Sequence, residues 1–406
     1  MDVWYFTEQS YHPAWDKFPG ALRVDIPGHH ADPALMSKLL NEYLDQYVLA
    51  DELGMNIMFN EHHTAATCLN ISVTMALGVM ARQTKNARLL GLGSIISNRP
   101  DPVRVAEEYA WIDNVSGGRL EMGMVKGAGW ELFASNANPA GMMDRFWEAH
   151  DLILAAMTRN DAPFAWEGEH FNYRNINLWP RGVQQPHPPI WMSANSNGSA
   201  TLIARRGYRM FGFIGGFPSK PVYDTYRRVY AETFGHAPQV DRLAYLGMVA
   251  IGKTRAEAAE RTAQMKAYLA SVRRMNAAHV APSGYGGPEE FAAALRSPSR
   301  GRMNAGGGPP RYLPSGKAMS AVPTDAELAE AGMVFSGEPQ EVLDQILAFN
   351  EHMEGLGHLG IMAQAAALTH EDACDNLRLF AEHVLPTLKG LDNSVPSGRM
   401  AVEAAE

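Results

Sequence analysis

Cysteine is scarce in this sequence: of its 406 residues, only Cys68 and Cys374 are cysteine. A disulfide framework needs several cysteines, and a Cys-x-x-Cys zinc site needs thiols in close pairs, so the composition excludes both. A Gly-x-Gly-x-x-Gly fingerprint is also missing after the first predicted strand. Its absence argues against a dinucleotide-binding fold built on an open, doubly wound sheet.

Long apolar runs and an excess of basic residues are missing as well. No run approaches the roughly 20 apolar residues that span a bilayer, and the N-terminus does not read as a signal peptide. We therefore expect a cytoplasmic protein without a membrane partner. The net charge is −9, whereas binding to a phosphate backbone requires basic surfaces. Nucleic acid is therefore not an expected partner.

What the sequence does contain is an alternation of short apolar runs with longer segments of helical periodicity. Repeated β-then-α units predict a parallel sheet, and about eight such units close into a barrel. We predict an α/β fold, a (β/α)8 TIM barrel in a single domain over residues 1–406, with an open doubly wound sheet as the alternative. The runs predicted as strands are Val3–Phe6, Asn56–Phe59, Arg88–Ile96, Arg119–Val125, Ile190–Ala194, Arg209–Ile214, Tyr245–Ile251 and Leu359–Ala363.

Three segments depart from this alternation. Residues 164–179 have the pattern of a β-hairpin insertion, and residues 19–33 form a long connection after the first strand. Residues 281–323 are rich in Gly, Pro, Ser and Arg. A loop of this length is usually either functional or disordered, so it is either a mobile lid or a disordered insertion within the barrel. Loops after barrel strands form the active-site face, so 19–33 and 281–323 are both expected near the substrate.

A glutamate and two histidines, Glu61, His62 and His63, follow the second predicted strand. Catalytic residues of TIM barrels gather at this end of the strands, although solvated imidazoles at a strand end are an equally good explanation. Adjacent histidines on an extended segment point to opposite faces and chelate one ion poorly. We therefore expect no metal here, and catalytic roles for His62 and His63 stay open beside the solvated explanation.

Three predicted rim segments carry residues suited to a phosphate group. Lys126 lies between Val125 and Gly127 at a strand end, and Arg145 lies near the start of the next helix. A third segment contains Asn195, Ser196 and Ser199 and opens a helix, where free N–H groups favour anions. Each pattern alone has a structural explanation, such as N-capping by Ser or Asn. Together they favour a cofactor that contains phosphate.

At this point a family resemblance is visible in the motifs. The combination resembles the bacterial luciferase-like flavin-dependent monooxygenases from the first strand to the last helix. Each motif is weak alone, and the combination is specific. The motifs are Glu61-His62-His63, Leu90–Ser94, Asp101–Glu108, Trp111–Arg119, Gly123–Gly127, Pro188–Trp191 and Ser336–Val342.

The resemblance implies a monooxygenase that uses reduced FMN and O2, through a C4a-peroxyflavin, on a small organic substrate. A separate flavin reductase would supply the FMNH2, and family members are often homodimers. His62 matches the family's catalytic acid/base, with His63 beside it. Gly93 and Ser94 match a cis peptide under the flavin ring. The phosphate would be held by Lys126, Arg145, Asn195, Ser196 and Ser199. The resemblance does not identify the substrate. We expect an apolar substrate pocket that includes Trp4, Phe6 and Phe59. These residues suit the barrel core equally well.

Departures from the luciferase pattern narrow this expectation. Val125 stands where luciferase has a reactive cysteine, Lys126 replaces an arginine, and Asn195 replaces a carboxylate. Lysine keeps the charge of arginine but loses its bidentate fork. A light-emitting reaction is therefore not expected. Two alternatives stay open: a dehydrogenase that uses the deazaflavin F420, and a catalytically silent partner subunit.

Overall fold

The computed structural model describes residues 1–276, 279, 282, 284–285, 312–320 and 322–398. Eight parallel strands close into a barrel, which confirms the predicted fold class. The barrel strands are β1 Asp2–Phe6, β2 Asn56–Phe59, β3 Leu89–Ile95, β4 Leu120–Val125, β7 Ile190–Ser193, β8 Arg209–Phe213, β9 Leu243–Ile251 and β11 His358–Met362. Their order around the barrel is β1-β2-β3-β4-β7-β8-β9-β11, and β11 returns to β1 with Asp2 opposite His358 and Phe6 opposite Met362.

Helices surround the barrel and follow most of its strands. The described helices are α1 Pro33–Glu52, α2 Val73–Gln83, α3 Pro102–Ser116, α4 Gly129–Ala134, α5 Met142–Thr158, α6 Asn197–Arg205, α7 Lys220–Phe234, α8 Arg255–Ser271, α9 Asp325–Glu330, α10 Pro339–His352, α11 His370–His383 and α12 Leu385–Lys389.

Local chemistry fixes where the early helices begin and end. Asp32, Ser72 and Asp101 are N-caps whose side chains accept hydrogen bonds from backbone N–H groups of α1, α2 and α3. Proline occupies the first turn of α1 and α3, where its missing N–H costs nothing. Helix α3 ends at Gly117, whose φ of 67° is the left-handed conformation that glycine adopts readily.

Two strands outside the barrel form the predicted hairpin. They are β5, Phe164–Glu167, and β6, Asn172–Ile176, which pair antiparallel. Several short elements were not predicted from the sequence. Two of them are α4 and β10, Val334–Gly337, which pairs with the last residues of β9. Each has six residues or fewer, too short to show a clear hydrophobic period.

The core has two parts because side chains alternate along each strand. Trp4 and Phe6 point into the barrel, and Phe59 packs between the sheet and the helices. All three are fully buried and none lines the cavity described below. Of the two explanations that the sequence left open for these aromatic residues, the structure supports the barrel core.

The amino-terminal end of the barrel is closed by paired charges. Glu121 accepts from Arg88 at 2.6 Å and from Arg209 at 3.0 Å. Arg88 also contacts Asp2 at 2.7 Å, and Arg209 contacts Asp241 at 3.3 Å.

A buried histidine lies beside this network. The Nδ1 of His358 accepts from the Trp4 indole at 3.2 Å, and its Nε2 lies 2.9 Å from the Asp241 carbonyl oxygen. Burial and the nearby Arg88 and Arg209 lower the pKa of His358 well below its usual value.

No helix in the described ranges is both long enough and apolar enough to cross a membrane. Most of the predicted insertion at 281–323 lies outside the described residues. Its described portions include Tyr285, whose hydroxyl donates to the Gly127 carbonyl at 3.1 Å, and a bridge between Tyr312 and Ala318.

Candidate active site

A cavity of about 540 Å³ opens at the carboxyl ends of the strands. This size lies within the roughly 300–1,000 Å³ typical of small-molecule sites, and this end of a TIM barrel is where active sites occur. Polar side chains lie on the loops, and the walls are mainly apolar. The apolar lining is Leu92, Ile95, Met124, Val125, Trp130, Met143, Phe146, Trp147, Met192, Leu202, Ile203 and Phe213.

His62 lies on this cavity's wall, directly after β2. Its Nδ1 is 2.7 Å from Oε1 of Glu131, on α4. Its Nε2 is 3.9 Å from Oε2 of Glu8, on the loop after β1. The imidazole therefore lies between two carboxylates, one in hydrogen-bonding distance and one beyond it.

Glu131 is fully buried and serves as a shared acceptor. The indole N–H of Trp130 donates to Oε1 at 2.6 Å, and the backbone N–H of His63 donates to Oε2 at 3.3 Å. Because Glu131 acts as an acceptor for these N–H groups, the same role assigns the Nδ1 proton to His62. Nε2 of His62 is then the nitrogen on the side of Glu8, on the cavity wall.

Glu8 supplies a second carboxylate to the same wall. It is 8% exposed, and Oε1 accepts from the Tyr268 hydroxyl at 2.9 Å. Oε2 has no hydrogen-bond partner in the described part of the chain. Burial first, and then the Glu8 charge, raise the pKa of Tyr268 well above its usual value, so the phenol keeps its proton and donates.

Glu61 belongs to the scaffold of the site. Its carboxylate is buried and accepts from Arg99 at 2.8 and 3.0 Å. It also accepts from the backbone N–H groups of Val73 at 3.0 Å and Ile95 at 3.3 Å. These bonds connect the loop after β2 to the start of α2 and the end of β3. They therefore fix the position of the backbone that carries His62.

Lys126, which the sequence proposes for a phosphate site, lines the cavity on the loop after β4. Lys126 forms no ion pair with any described carboxylate, and its ammonium lies 5.0 Å from the ring centre of Tyr285. Gly127 turns the chain there with φ 75°, and a Cβ at this position would meet Ile95 Cγ2 at 2.6 Å. The glycine thus permits the close turn that places Lys126 on the rim.

The start of α6 contributes to the same cavity. Asn195, Ser196 and Ser199 line it. Ser196 caps the helix by accepting from the backbone N–H of Ser199 at 3.2 Å, and Asn195 Oδ1 accepts from the backbone N–H of Phe213 at 3.2 Å. The capping explanation is therefore correct, and it leaves both serines facing the cavity.

Arg145 has a different place from the one its predicted role requires. Its Nε donates to the Ser97 carbonyl at 2.6 Å and an Nη to the Asn138 carbonyl at 2.8 Å, and it does not line the cavity. Burial lowers its pKa. Ser97 in turn donates its hydroxyl to the Lys126 carbonyl at 2.6 Å. Arg145 therefore braces the loop that carries Lys126.

Gly93 lines the cavity, whereas Ser94 and His63 do not. The expected cis peptide at Gly93–Ser94 is not present: within the described ranges, the cis bonds are Trp179–Pro180 and Gln185–Pro186. The backbone irregularity here is a shift in register between β3 and β4. A trans peptide avoids the cost of about 3–4 kcal/mol that a non-prolyl cis bond carries.

The sequence did not point to Glu8, Trp130 or Glu131. Glu8 follows β1 at the catalytic rim, and that position is a signal which could have identified it. Glu131 and Trp130 lie on the unpredicted helix α4, and only the fold brings them to His62. Among the described residues, no cluster of three or more His, Cys, Asp or Glu has a geometry that could hold a metal ion.

The closed parallel barrel, with a cavity at the carboxyl ends of its strands, places the chain in the class of TIM-barrel proteins. The profile of the luciferase-like monooxygenase family matches residues 24–353. The chain belongs to the luciferase-like monooxygenase family.

Similar proteins agree with this assignment. The chain is 32% identical over 174 residues to an uncharacterised protein of Sinorhizobium fredii, covering 42% of this chain and 50% of that protein. It is 27% identical over 182 residues to the oxygenase component of a flavin-dependent trigonelline monooxygenase of Acinetobacter baylyi, covering 44% and 49%. The chain thus spans about half the length of the curated relatives it matches.

Solved structures share the fold over nearly the whole chain. Monooxygenase RslO1 from Streptomyces bottropensis has a TM-score of 0.67 at 20% identity, covering 95% of this chain and 99% of its own. The oxygenating constituent of 3,6-diketocamphane monooxygenase from Pseudomonas putida, solved with FMN, has a TM-score of 0.64 at 19% identity, covering 95% and 97%. An F420-dependent secondary alcohol dehydrogenase has a TM-score of 0.62 at 15% identity, covering 95% and 98%.

Proposed function

We propose that this protein is the oxygenase component of a flavin-dependent monooxygenase. It would use reduced FMN and O2 on a small organic substrate, with a separate reductase supplying the flavin. One observation carries the proposal: His62 and Lys126, a cation with no carboxylate partner among the described residues, lie on the wall of one cavity at the carboxyl ends of the strands. The flavin-dependent relatives support the same activity.

The residues at the Lys126 end fit the phosphate of FMN. A lysine without a described carboxylate partner is available to an anion, and the start of α6 adds hydroxyls and helix-terminal N–H groups. Ser196, Ser199 and Asn195 would hold the phosphate with Lys126. Arg145 would contribute by bracing the Lys126 loop through Ser97.

The apolar middle of the cavity fits a flavin ring beside Gly93. A Cβ at residue 93 would lie 3.2 Å from Val125 Cγ2, so glycine keeps this surface close to the sheet. Reduced FMN, when bound, supplies the electrons that activate O2. The apolar walls, including Met143 and Phe146, exclude water from that chemistry.

His62 is the proposed proton-transfer group. Its Nε2 faces the cavity as an acceptor, and Glu131 orients the ring through Nδ1. A histidine with one nitrogen fixed by a carboxylate can take a proton at the other nitrogen and return it. His63 does not line the cavity, and its backbone N–H holds Glu131. We therefore propose His62 as the catalytic residue and His63 as a positioning residue.

A product screen tests the proposed activity. The purified chain would be supplied with a flavin reductase, NADH, FMN and O2, and candidate substrates would be followed by mass spectrometry. We expect a product heavier by one oxygen atom, with ¹⁸O incorporated from ¹⁸O2. Label from H2¹⁸O instead of ¹⁸O2 would refute the monooxygenase assignment. Turnover by this chain alone would also separate the oxygenase from a silent partner subunit.

An F420-dependent dehydrogenase is the second candidate, because a solved structure of that activity shares the barrel. Calorimetric titration of the protein with oxidised FMN and with F420 separates the two. Tighter binding of FMN supports the oxygenase. Selective binding of F420, with substrate oxidation that continues without O2, would replace the proposal by the dehydrogenase.

A homodimer is proposed from an exposed apolar surface on α2 and α3. Ile71 is 57% exposed, Met75 62% and Trp111 50%, with Val79 beside them. Contiguous exposed apolar residues often mark an interface. Sedimentation analysis should show a dimer that Met75→Asp and Trp111→Asp together convert to a monomer. A monomeric wild-type protein would reject the dimer.

A further inference from the structure

Two buried carboxylates lie beside His62 on the cavity wall. They are Glu8 and Glu131, and both line the cavity. The nearby Glu61 is paired with Arg99. Arg23 lies against the face of Trp130 at 4.3 Å and does not line the cavity.

One oxygen of Glu8 is the unusual feature of these carboxylates. Glu8 is buried, and Tyr268 holds its Oε1. Its Oε2 faces His62 without a hydrogen-bond partner among the described residues. A buried carboxylate oxygen without a donor is costly. A ligand group that supplies the missing donor would therefore bind favourably here.

The geometry also indicates how many donors that group needs. In the neutral imidazole of His62, an Nδ1 that donates to Glu131 leaves Nε2 as an acceptor. Two acceptors, His62 Nε2 and Glu8 Oε2, are thus 3.9 Å apart at one side of the cavity. They are too far apart to share a proton directly. One ligand atom between them needs two hydrogens to satisfy both.

A protonated amine meets these requirements better than a hydroxyl. An ammonium carries two or three donors on one atom, whereas a hydroxyl carries one. Two buried carboxylates, Glu8 and Glu131, lie beside His62 on this wall, so a cation is also favoured electrostatically. The indole of Trp130 and the ring of Phe213 line the same cavity and suit an apolar body attached to the amine.

We propose that Glu8 Oε2 and His62 Nε2 form an ammonium subsite, so that the substrates of this protein are organic amines bound in their protonated form. The inference rests on the proposed function in taking this cavity as the substrate site. Glu8 would set substrate specificity, and Tyr268 would position Glu8. The oxygenated atom is then expected close to the amine nitrogen, since His62 contacts the same group.

Three small probes of similar size test the subsite: benzylammonium, benzyl alcohol and benzoate. Binding to the full chain would be measured by calorimetry, with and without saturating FMN. We expect benzylammonium to bind best to the wild-type protein. Glu8→Gln should weaken benzylammonium by about tenfold or more, as for a lost charged hydrogen bond, and benzyl alcohol by less than about twofold.

Two further variants keep the result interpretable. Tyr268→Phe leaves the Glu8 charge in place and should weaken benzylammonium by only about threefold, as for one neutral hydrogen bond. Glu52→Gln, an exposed change on α1, should leave all three probes unchanged. Circular dichroism would establish that each variant is folded before its binding is compared.

Three outcomes would overturn the ammonium subsite. The first is equal binding of benzylammonium to the wild type and to Glu8→Gln. The second is equal binding of benzylammonium and benzyl alcohol to the wild-type protein. The third is preferential binding of benzoate, which would assign an anion-binding role to Arg23. The FMN titration is independent of these results. If the wild-type protein does not bind FMN, the flavin proposal is rejected. A selectivity for amines that depends on Glu8 would still support the ammonium subsite.

Discussion

The two ends of the barrel treat buried charge differently. At the amino-terminal end, Glu121 is paired with Arg88 and Arg209, and both arginines have a second carboxylate partner. At the carboxyl end, Glu8 Oε2 and Lys126 have no such partner in the described ranges.

Paired charges stabilise a structure. Buried or cavity-lining groups whose hydrogen-bonding or charge-pairing capacity is unused are available to a ligand. The amino-terminal, closed end therefore serves stability, and the carboxyl-terminal, open end serves binding. This difference also predicts that substitutions at the two ends affect different measurements.

The largest expected effect is at the open end. His62→Ala should lower coupled product formation by about a hundredfold or more, since general acid–base groups contribute about 10²–10⁴ in rate. The free energy of unfolding should change by less than about 1 kcal/mol, because His62 is partly exposed on the cavity wall. Product and H2O2 would be quantified together under the reductase-coupled conditions.

His63→Ala is the matched control for that variant, because its side chain does not line the cavity and its backbone N–H to Glu131 is kept. It should retain most of the activity. Coupled turnover by His62→Ala equal to wild type would remove His62 from the mechanism and erase the contrast between the two ends.

The next effect is at the closed end. Glu121→Ala leaves Arg88 and Arg209 without their shared buried partner, and breaking such a pair costs about 3–5 kcal/mol. We expect the lower limit, about 3 kcal/mol, because both arginines are partly exposed. Urea denaturation measures the loss, and FMN affinity should stay unchanged.

Glu121→Gln keeps an acceptor oxygen, so its free energy of unfolding should decrease less than that of Glu121→Ala. A Glu121→Ala protein as stable as wild type would show that the closed end contributes little to stability. A large loss of FMN affinity in the folded variant would show that the two ends are coupled.

The closed end should also respond to pH through His358. Its pKa is lowered below the usual 6.5, mainly by burial, so the unfolded chain binds the proton more readily than the folded one. The contribution of His358 to the free energy of unfolding is therefore fully present above pH 6.5. Below that pH it decreases by up to about 1.4 kcal/mol per pH unit.

Urea denaturation at pH 7.5, 6.5 and 5.5 measures this dependence. His358→Asn should show a smaller decrease over the lower interval, and His383→Asn, an exposed control, should behave as wild type. Identical slopes for wild type and His358→Asn would assign the pH dependence to other groups.

The smallest effect is expected from Lys126. Lys126→Gln removes a charge on the rim and should weaken FMN by about tenfold, with riboflavin changed by less than twofold, because riboflavin lacks the phosphate. Calorimetry with both flavins measures the difference. Lys253→Gln, which lies on the surface away from the cavity, is the control. Equal weakening of FMN and riboflavin would contradict the phosphate role.

The barrel was largely predictable because its strands have local signals. Asn56–Phe59, for example, is an apolar run after a glycine, and its predicted bounds agree with those in the structure. Helices α1 and α3 were predictable from caps and prolines. Strand β10 was missed because four residues with a glycine carry little periodicity, and only pairing with β9 makes it a strand.

The site was predictable only where its residues follow strands directly. His62, Lys126 and Ser196 follow strands, and the structure places them on the cavity. The partner of His62, Glu131, lies 69 residues away in sequence on a short helix, so no local pattern indicates the pair. Arg145 shows the opposite case, since its charge suggested a ligand contact but backbone carbonyls use its donors.

The shared carboxylate of Glu131 has an optical consequence. The Trp130 indole N–H and His62 Nδ1 meet the same oxygen, Oε1. A change in the charge of His62 therefore alters the hydrogen bond to an indole, and indole emission is sensitive to such a change. The difference in fluorescence between the wild type and Trp130→Phe is thus an intrinsic signal of the state of His62, available without a substrate or an added dye.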